Sequence, residues 1–147
     1  LTQKLVITDG YDVMFFGKPR RIEVIYAGTP KVDITDDRLL IYSRSNEPEA
    51  LEKHFSKWLK HQASEYMTTQ TIKTARALGV EERLKEVIFR KTRTKWGHCG
   101  SDGTIQYNWL TMMAPKEVID YLIAHESSHL VHMNHILWHC SYTTSFL

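Results

Sequence analysis

The chain has 147 residues, of which 42% are hydrophobic and 24% are charged, as in an ordinary single-domain globular protein. Its formal net charge of +2 is too small to indicate a nucleic-acid or membrane partner by itself. Two cysteines exclude a disulfide framework, and no apolar run approaches the ~20 residues of a membrane span.

The N-terminal third predicts short strands. Five segments are rich in β-branched and aromatic residues and are separated by Gly, Pro or Asp turns; they cover residues 4–8, 12–16, 20–26, 31–35 and 39–43. Charged and apolar side chains alternate in residues 20–26, a pattern typical of a half-buried antiparallel strand. We therefore expect N-terminal antiparallel strands.

The rest of the chain predicts helix, strands and helix. Apolar residues recur every three or four positions from residue 51, after Pro48, and Gly79 is a natural stop. Residues 86–90 and 104–112 predict strands on either side of a turn-rich stretch at 95–103. Pro115 opens a second amphipathic helix. The order predicts an α+β fold in one domain, with a long helix, a small sheet and a helix that carries the residues described next.

Histidines cluster near the C-terminus. Five of the eight lie within fifteen residues, and His125 and His129 are four apart on the second predicted helix. That spacing places both imidazoles on one helix face, close enough to bind one ion. Glu126 completes an HExxH motif and can hold a metal-bound water and take its proton. The alternative is a pair of solvated or core histidines, which Glu126 and the neighbouring histidines disfavour.

The third ligand is predicted by elimination. No acidic residue follows Glu126, and His132 lies ~10.5 Å along the helix from His125, too far to share an ion. Asn134 can end the helix and turn His135 back toward the metal. His139 and Cys140 are alternative ligands, and a cysteine ligand would indicate a closed, structural site. Three imidazoles favour Zn²⁺ with one position left for water.

Several functions fit such a site. A zinc-activated water can attack a peptide carbonyl, which predicts a metallopeptidase acting on a peptide substrate. The same water can attack a phosphoryl group, so a nucleotide phosphohydrolase (a pyrophosphatase) stays open. The remaining alternatives are a DNA-associated protein and a non-catalytic module with a structural metal. The low net charge disfavours the DNA-associated protein, and the motif glutamate disfavours the structural module. The sequence does not indicate an oligomeric state.

The order of the motifs resembles the YgjP-like metal-dependent hydrolases, relatives of the SprT and WLM zinc peptidases. The resemblance is carried by residues 95–99, 108–109, 114–121, 125–130 and 134–135. It implies a minimal zincin-like fold over residues 1–147, ending before the further helix that usually follows in the family. It also implies the ligands His125, His129 and His135, with Glu126 catalytic. The implied DNA-associated alternative is a protease like SprT.

Residues around the motif are candidates for substrate binding and packing. Arg93 and Lys95 belong to a basic run that can clamp a phosphate or a carboxylate, with a solvated strand edge as the alternative. Tyr107 is a candidate oxyanion donor, with cross-strand packing as the alternative. Trp96, Trp109 and Cys99 are predicted to be buried. With reduced thiols and no signal peptide, we expect a cytoplasmic protein without a membrane partner.

Overall fold

The computed structural model describes residues 5–92 and 94–132, together with the backbone of residues 140–141. In these ranges the chain forms two four-stranded sheets and two α-helices, which confirms the α+β class. The strands are β1 (Asp12–Phe15), β2 (Lys18–Tyr26), β3 (Lys31–Ile34), β4 (Arg38–Ser43), β5 (Glu86–Arg90), β6 (Gly97–Cys99), β7 (Thr104–Asn108) and β8 (Cys140–Ser141). The helices are α1 (Pro48–Ala77) and α2 (Lys116–Ser128).

The first sheet is mixed, with the order β1-β2-β4-β3. β1 pairs antiparallel with β2, and β3 pairs antiparallel with β4, but β2 and β4 run parallel. The prediction of a purely antiparallel arrangement was therefore wrong. Alternating polarity reports which face of a strand is buried and carries no information about the direction of its neighbour.

The segment before β1 is not a strand. Residues 5–8 were predicted to be extended because of their apolar and β-branched side chains, but they join no sheet. Instead, Ile7 is buried at 1% exposure, and the Asp9 carboxylate accepts a hydrogen bond from the Val24 backbone N–H at 2.9 Å. Burial of one apolar side chain therefore holds this segment without a strand ladder.

The second sheet has the order β5-β7-β6-β8. β6 lies in the stretch that the sequence predicted only as turn-rich, and it pairs antiparallel with both neighbours. The strand predicted to continue to Met112 ends instead at Asn108. The Asn108 side chain accepts a hydrogen bond from the Leu110 N–H at 2.9 Å and donates one to the Thr92 carbonyl at 2.9 Å. The first of these bonds caps the 3₁₀ turn Trp109–Met113.

Helix α1 is continuous and connects the two sheets. Its buried residues recur at every fourth position: Leu51, Phe55, Leu59, Ala63, Met67, Thr71 and Ala75. Each step of four turns the line of buried side chains by about 40° around a helix of 3.6 residues per turn. The buried line therefore winds around α1, and it contacts the first sheet near Phe55 and the second near Thr71.

The start of α2 is held against the first sheet. The backbone N–H of Phe16 donates to the Met112 carbonyl at 2.9 Å, and that of Gly17 donates to the Met113 carbonyl at 3.2 Å. Near the same end of α2, Tyr66 on α1 donates a hydrogen bond to Asp120 at 2.6 Å. Among the described residues, no helix has the length and apolarity needed to cross a bilayer.

Candidate functional site

Helix α2 brings His125 and His129 together. The helix buries Ile119, Leu122 and Ile123, which orients its C-terminal turn against the rest of the protein. His129 follows the last helical residue and begins the 3₁₀ turn His129–His132. The two Nε2 atoms lie 3.3 Å apart, and the two rings are nearly perpendicular, at 89°. The four-residue spacing therefore produces the convergence expected from the sequence.

The separation of the two histidine nitrogens is compatible with binding to one divalent ion. Two nitrogens bound to one tetrahedral zinc with bonds of 2.0–2.1 Å lie about 3.3 Å apart. Burial lowers the pKa of His125, and burial together with the nearby His125 and His132 imidazoles lowers the pKa of His129 to about 4. Both rings are therefore neutral near pH 7, which is the form that binds a metal.

Glu126 is a buried carboxyl group beside this pair. Its exposure is 0%, and neither carboxylate oxygen has a hydrogen-bond partner in the described part of the chain. Burial raises the pKa of Glu126 to about 8 because a charged carboxylate loses its hydration there. A carboxyl group with a pKa near the working pH can both accept and release a proton.

The carboxyl group of Glu126 packs directly on Gly97 of β6. A Cβ atom at position 97 would lie 3.1 Å from both Cγ and Oε2 of Glu126 and 3.0 Å from Cδ1 of Leu122. These distances are shorter than ordinary van der Waals contacts. Gly97 therefore lets the sheet approach the helix at the point where the carboxyl group lies. Sequence reasoning missed this role, although Trp96-Gly97 stood among the motif residues.

We expect Gly97→Ala to destabilise the fold by about 1–3 kcal/mol because the added methyl group overpacks the contact between β6 and α2. Urea denaturation of the purified variant measures this change. Gly28→Ala is the matched control, since a Cβ there would lie at an ordinary 3.5 Å from the Arg44 side chain. Equal stability of the two variants would contradict the close approach.

Tyr107 lies in the core, between β7 and α1. It is fully buried at 0% exposure, and its hydroxyl lies 2.8 Å from the Thr71 hydroxyl of α1. Burial strongly raises the pKa of Tyr107, so the phenol is protonated. The structure shows Tyr107 packed across the strands opposite Phe89, and its role as an oxyanion donor stays a prediction. Phe89 of β5 packs beside it, with ring centroids 6.0 Å apart.

A comparison with models of protein families shows which family the chain belongs to. The family described as YgjP-like, metallopeptidase domain, matches residues 2–144. The chain belongs to the YgjP-like family. No curated protein and no solved structure gives a significant match. The description of the family supports a metal-dependent peptidase, and the match covers nearly the whole chain.

The third ligand of this YgjP-like domain is not defined by the described residues. Within residues 5–92 and 94–132, no group of three or more His, Cys, Asp or Glu side chains is arranged to hold a metal. His135 and His139 lie outside the described residues, as does the side chain of Cys140. The prediction that His135 completes the site therefore stays a prediction.

The other candidate residues divide between surface and core. Arg90 and Lys91 of the basic run are exposed, Lys95 is half-buried, and Arg93 lies outside the described residues. The predicted burial of two tryptophans and a cysteine is confirmed, with exposures of 1% for Trp96, 7% for Trp109 and 1% for Cys99. Thr71 and Asn108 were not predicted as part of the site. The Thr71–Tyr107 contact and the Asn108–Thr92 hydrogen bond join residues distant in sequence, which no local pattern predicts.

Proposed function

We propose that this YgjP-like domain is a zinc-dependent peptidase with a minimal zincin-like fold. Its zinc ligands would be His125, His129 and His135, and Glu126 would be the general base. The observation that carries the proposal is the pair of Nε2 atoms at 3.3 Å beside a buried carboxyl group without a partner in the described residues. A structural metal site does not need such a carboxyl group. Its burial costs folding free energy, and such costly groups are found mainly at functional sites.

The chain's own residues supply the proton transfers of peptide hydrolysis. Zinc, when bound, acts as a Lewis acid that polarises the substrate carbonyl and acidifies water. Glu126 accepts the proton of the attacking water and then delivers it to the departing amine, so the enzyme ends in its starting protonation state. Its close packing on Gly97 holds the carboxyl group in place without hydrogen bonds, in the described residues, that would compete for the proton.

The ligand set is tested by metal analysis of single variants. We expect about one zinc per wild-type chain, and we expect His125→Ala, His129→Ala and His135→Ala each to lose it because two imidazoles hold zinc weakly. His132→Ala and His139→Ala are matched controls from the same histidine cluster and should keep the metal. Retention of zinc by His135→Ala together with loss by His139→Ala would move the third ligand to position 139.

The reaction is tested by a paired substrate screen on the zinc-loaded chain. We expect hydrolysis of casein-derived peptides and no release of phosphate from nucleoside triphosphates. The opposite result would establish the phosphohydrolase alternative, with exposed Arg90 and Lys91 as candidate phosphate contacts. Strongly salt-dependent binding to DNA would instead favour a DNA-associated protease. A cytoplasmic location is also part of this proposal, and cell fractionation would test it.

A further inference from the structure

A groove lies between the N-terminal half of α1 and β3. Its volume is about 400 Å³. We call it the basic groove because cationic side chains surround an apolar floor; it is lined mainly by Lys31, Val32, Lys53, Lys57, Trp58 and His61. Val32 and Trp58 form the half-buried floor, whereas the lysines are exposed. The basic groove is distinct from the histidine site, since Lys57 and Thr71 are separated by about 21 Å along the axis of α1.

Two of the cations of the basic groove, Lys53 and Lys57, have no ion pair within the described part of the chain, whereas Lys31 and His61 lie beside Asp33 and Glu65. Lys53, Lys57 and His61 follow each other at four-residue intervals, so they share one face of α1. Within the described part of the chain, no carboxylate lies within ion-pair distance of Lys53 or Lys57. Like charges at this spacing weaken a helix. Lys53 and Lys57 are therefore the groove cations that stay open to a ligand carboxylate.

The strand beside these lysines has an open edge. β3 is the last strand of the first sheet and pairs only with β4 among the described strands. The backbone N–H and C=O groups on its outer side are therefore available to an added strand. Lys31, on β3 itself, is exposed and contacts Asp33 at 3.1 Å. The basic groove thus combines a free strand edge with cations on the facing helix.

We propose that the basic groove binds an extended acidic peptide that pairs with β3 and places carboxylates against Lys53 and Lys57. A peptide fits better than a nucleic acid because only a peptide backbone can continue the strand ladder. A second copy of this chain fits less well because its β3 strand carries Lys31 and Asp33 and therefore brings no net negative charge to Lys53 and Lys57. This binding site goes beyond the proposed hydrolysis and does not require it.

The test uses fluorescence anisotropy of a fluorescein-labelled eight-residue peptide of alternating Glu and Thr, with the full chain carrying Glu126→Gln to prevent cleavage. We expect Lys53→Gln/Lys57→Gln to weaken binding about tenfold at low salt. The matched control is Lys60→Gln/Lys73→Gln, which removes the same charge from exposed positions of α1 outside the groove. It should change the affinity by less than about twofold.

Backbone pairing is tested with two further peptides, each methylated on one alternate set of amide nitrogens. We expect only one of them to bind, because only one set of N–H groups faces β3 in a given register. Equal binding of both methylated peptides would contradict strand addition. An equal loss of peptide affinity in Lys53→Gln/Lys57→Gln and Lys60→Gln/Lys73→Gln would contradict binding in the basic groove. Tighter, Lys53- and Lys57-dependent binding of octadeoxythymidylate would assign the groove to nucleic acid instead.

The binding result and the proposed peptidase activity can fail separately. Lys53→Gln/Lys57→Gln in the otherwise unaltered, zinc-loaded chain should hydrolyse an uncharged peptide at the wild-type rate. Loss of acidic-peptide binding with retained hydrolysis supports the basic groove as a separate site. Absence of hydrolysis in every form, with intact peptide binding, contradicts only the proposed peptidase function.

Discussion

Replacing Glu126 with Gln should lower kcat for peptide hydrolysis by about 10²- to 10⁴-fold while zinc stays bound. The amide keeps the size of the carboxyl group and its packing on Gly97, but it cannot accept the proton of the attacking water. Zinc content measured beside steady-state kinetics separates loss of the base from loss of the metal.

Glu117→Gln is the matched control for this experiment. Glu117 lies on the same helix but is exposed in its first turn. Its replacement removes the same charge and should leave both kcat and zinc content unchanged. If Glu126→Gln keeps full activity, Glu126 is not the general base, and a water or another side chain must accept the proton.

The metal-free stability of the protein should depend on pH through Glu126. The pKa of Glu126 in the folded protein is about 8, above its ordinary value of 4.5, so folding favours the protonated form. The unfolded chain loses this proton first as the pH rises, and the folded state therefore loses stability between pH 4.5 and pH 8. At pH 8.5 the loss amounts to at most about 5 kcal/mol, from 1.36 kcal/mol per pKa unit.

Glu126→Gln should remove this loss. In chelator, the free energy of unfolding of the variant should exceed that of the wild type by a margin that grows between pH 5 and pH 8.5, as measured by urea denaturation. The lowered pKa of His129 predicts a separate loss of folding stability as the pH falls from 6.5 to 4. This loss is expected in both the wild type and Glu126→Gln, so it cancels when their free energies of unfolding are subtracted. Glu117→Gln should show no such trend. A margin that stays constant with pH would contradict the raised pKa of Glu126.

Together these experiments would show that one carboxyl group both destabilises the metal-free fold and performs the proposed chemistry. A buried acid without a hydrogen-bond partner is unfavourable for folding, and such groups persist where a reaction requires them. Zinc should offset much of the loss, because a nearby cation favours the charged carboxylate. Repeating the pH series with zinc present would measure how far the metal compensates the buried charge.

Local patterns in the sequence were sufficient to predict the convergence of two histidines and most of the helices and strands. The spacing of His125 and His129 fixes both rings on one turn of a helix, whatever surrounds it, and the structure places their Nε2 atoms 3.3 Å apart. The stop after α1 was likewise predicted, since Gly79 adopts a φ of +74°. Such features depend on residues within a few positions of each other.

Only the tertiary structure decided the contacts between distant segments. In the folded protein Gly97 packs against Glu126, and Tyr107 is buried against Thr71. Strands β2 and β4 run parallel, and the basic groove lies between Lys31 and Lys57. The sequence by itself determined which side chains share a helix face or a strand face, because backbone geometry fixes those periods. It did not determine which faces meet, because that depends on packing between elements far apart in the chain.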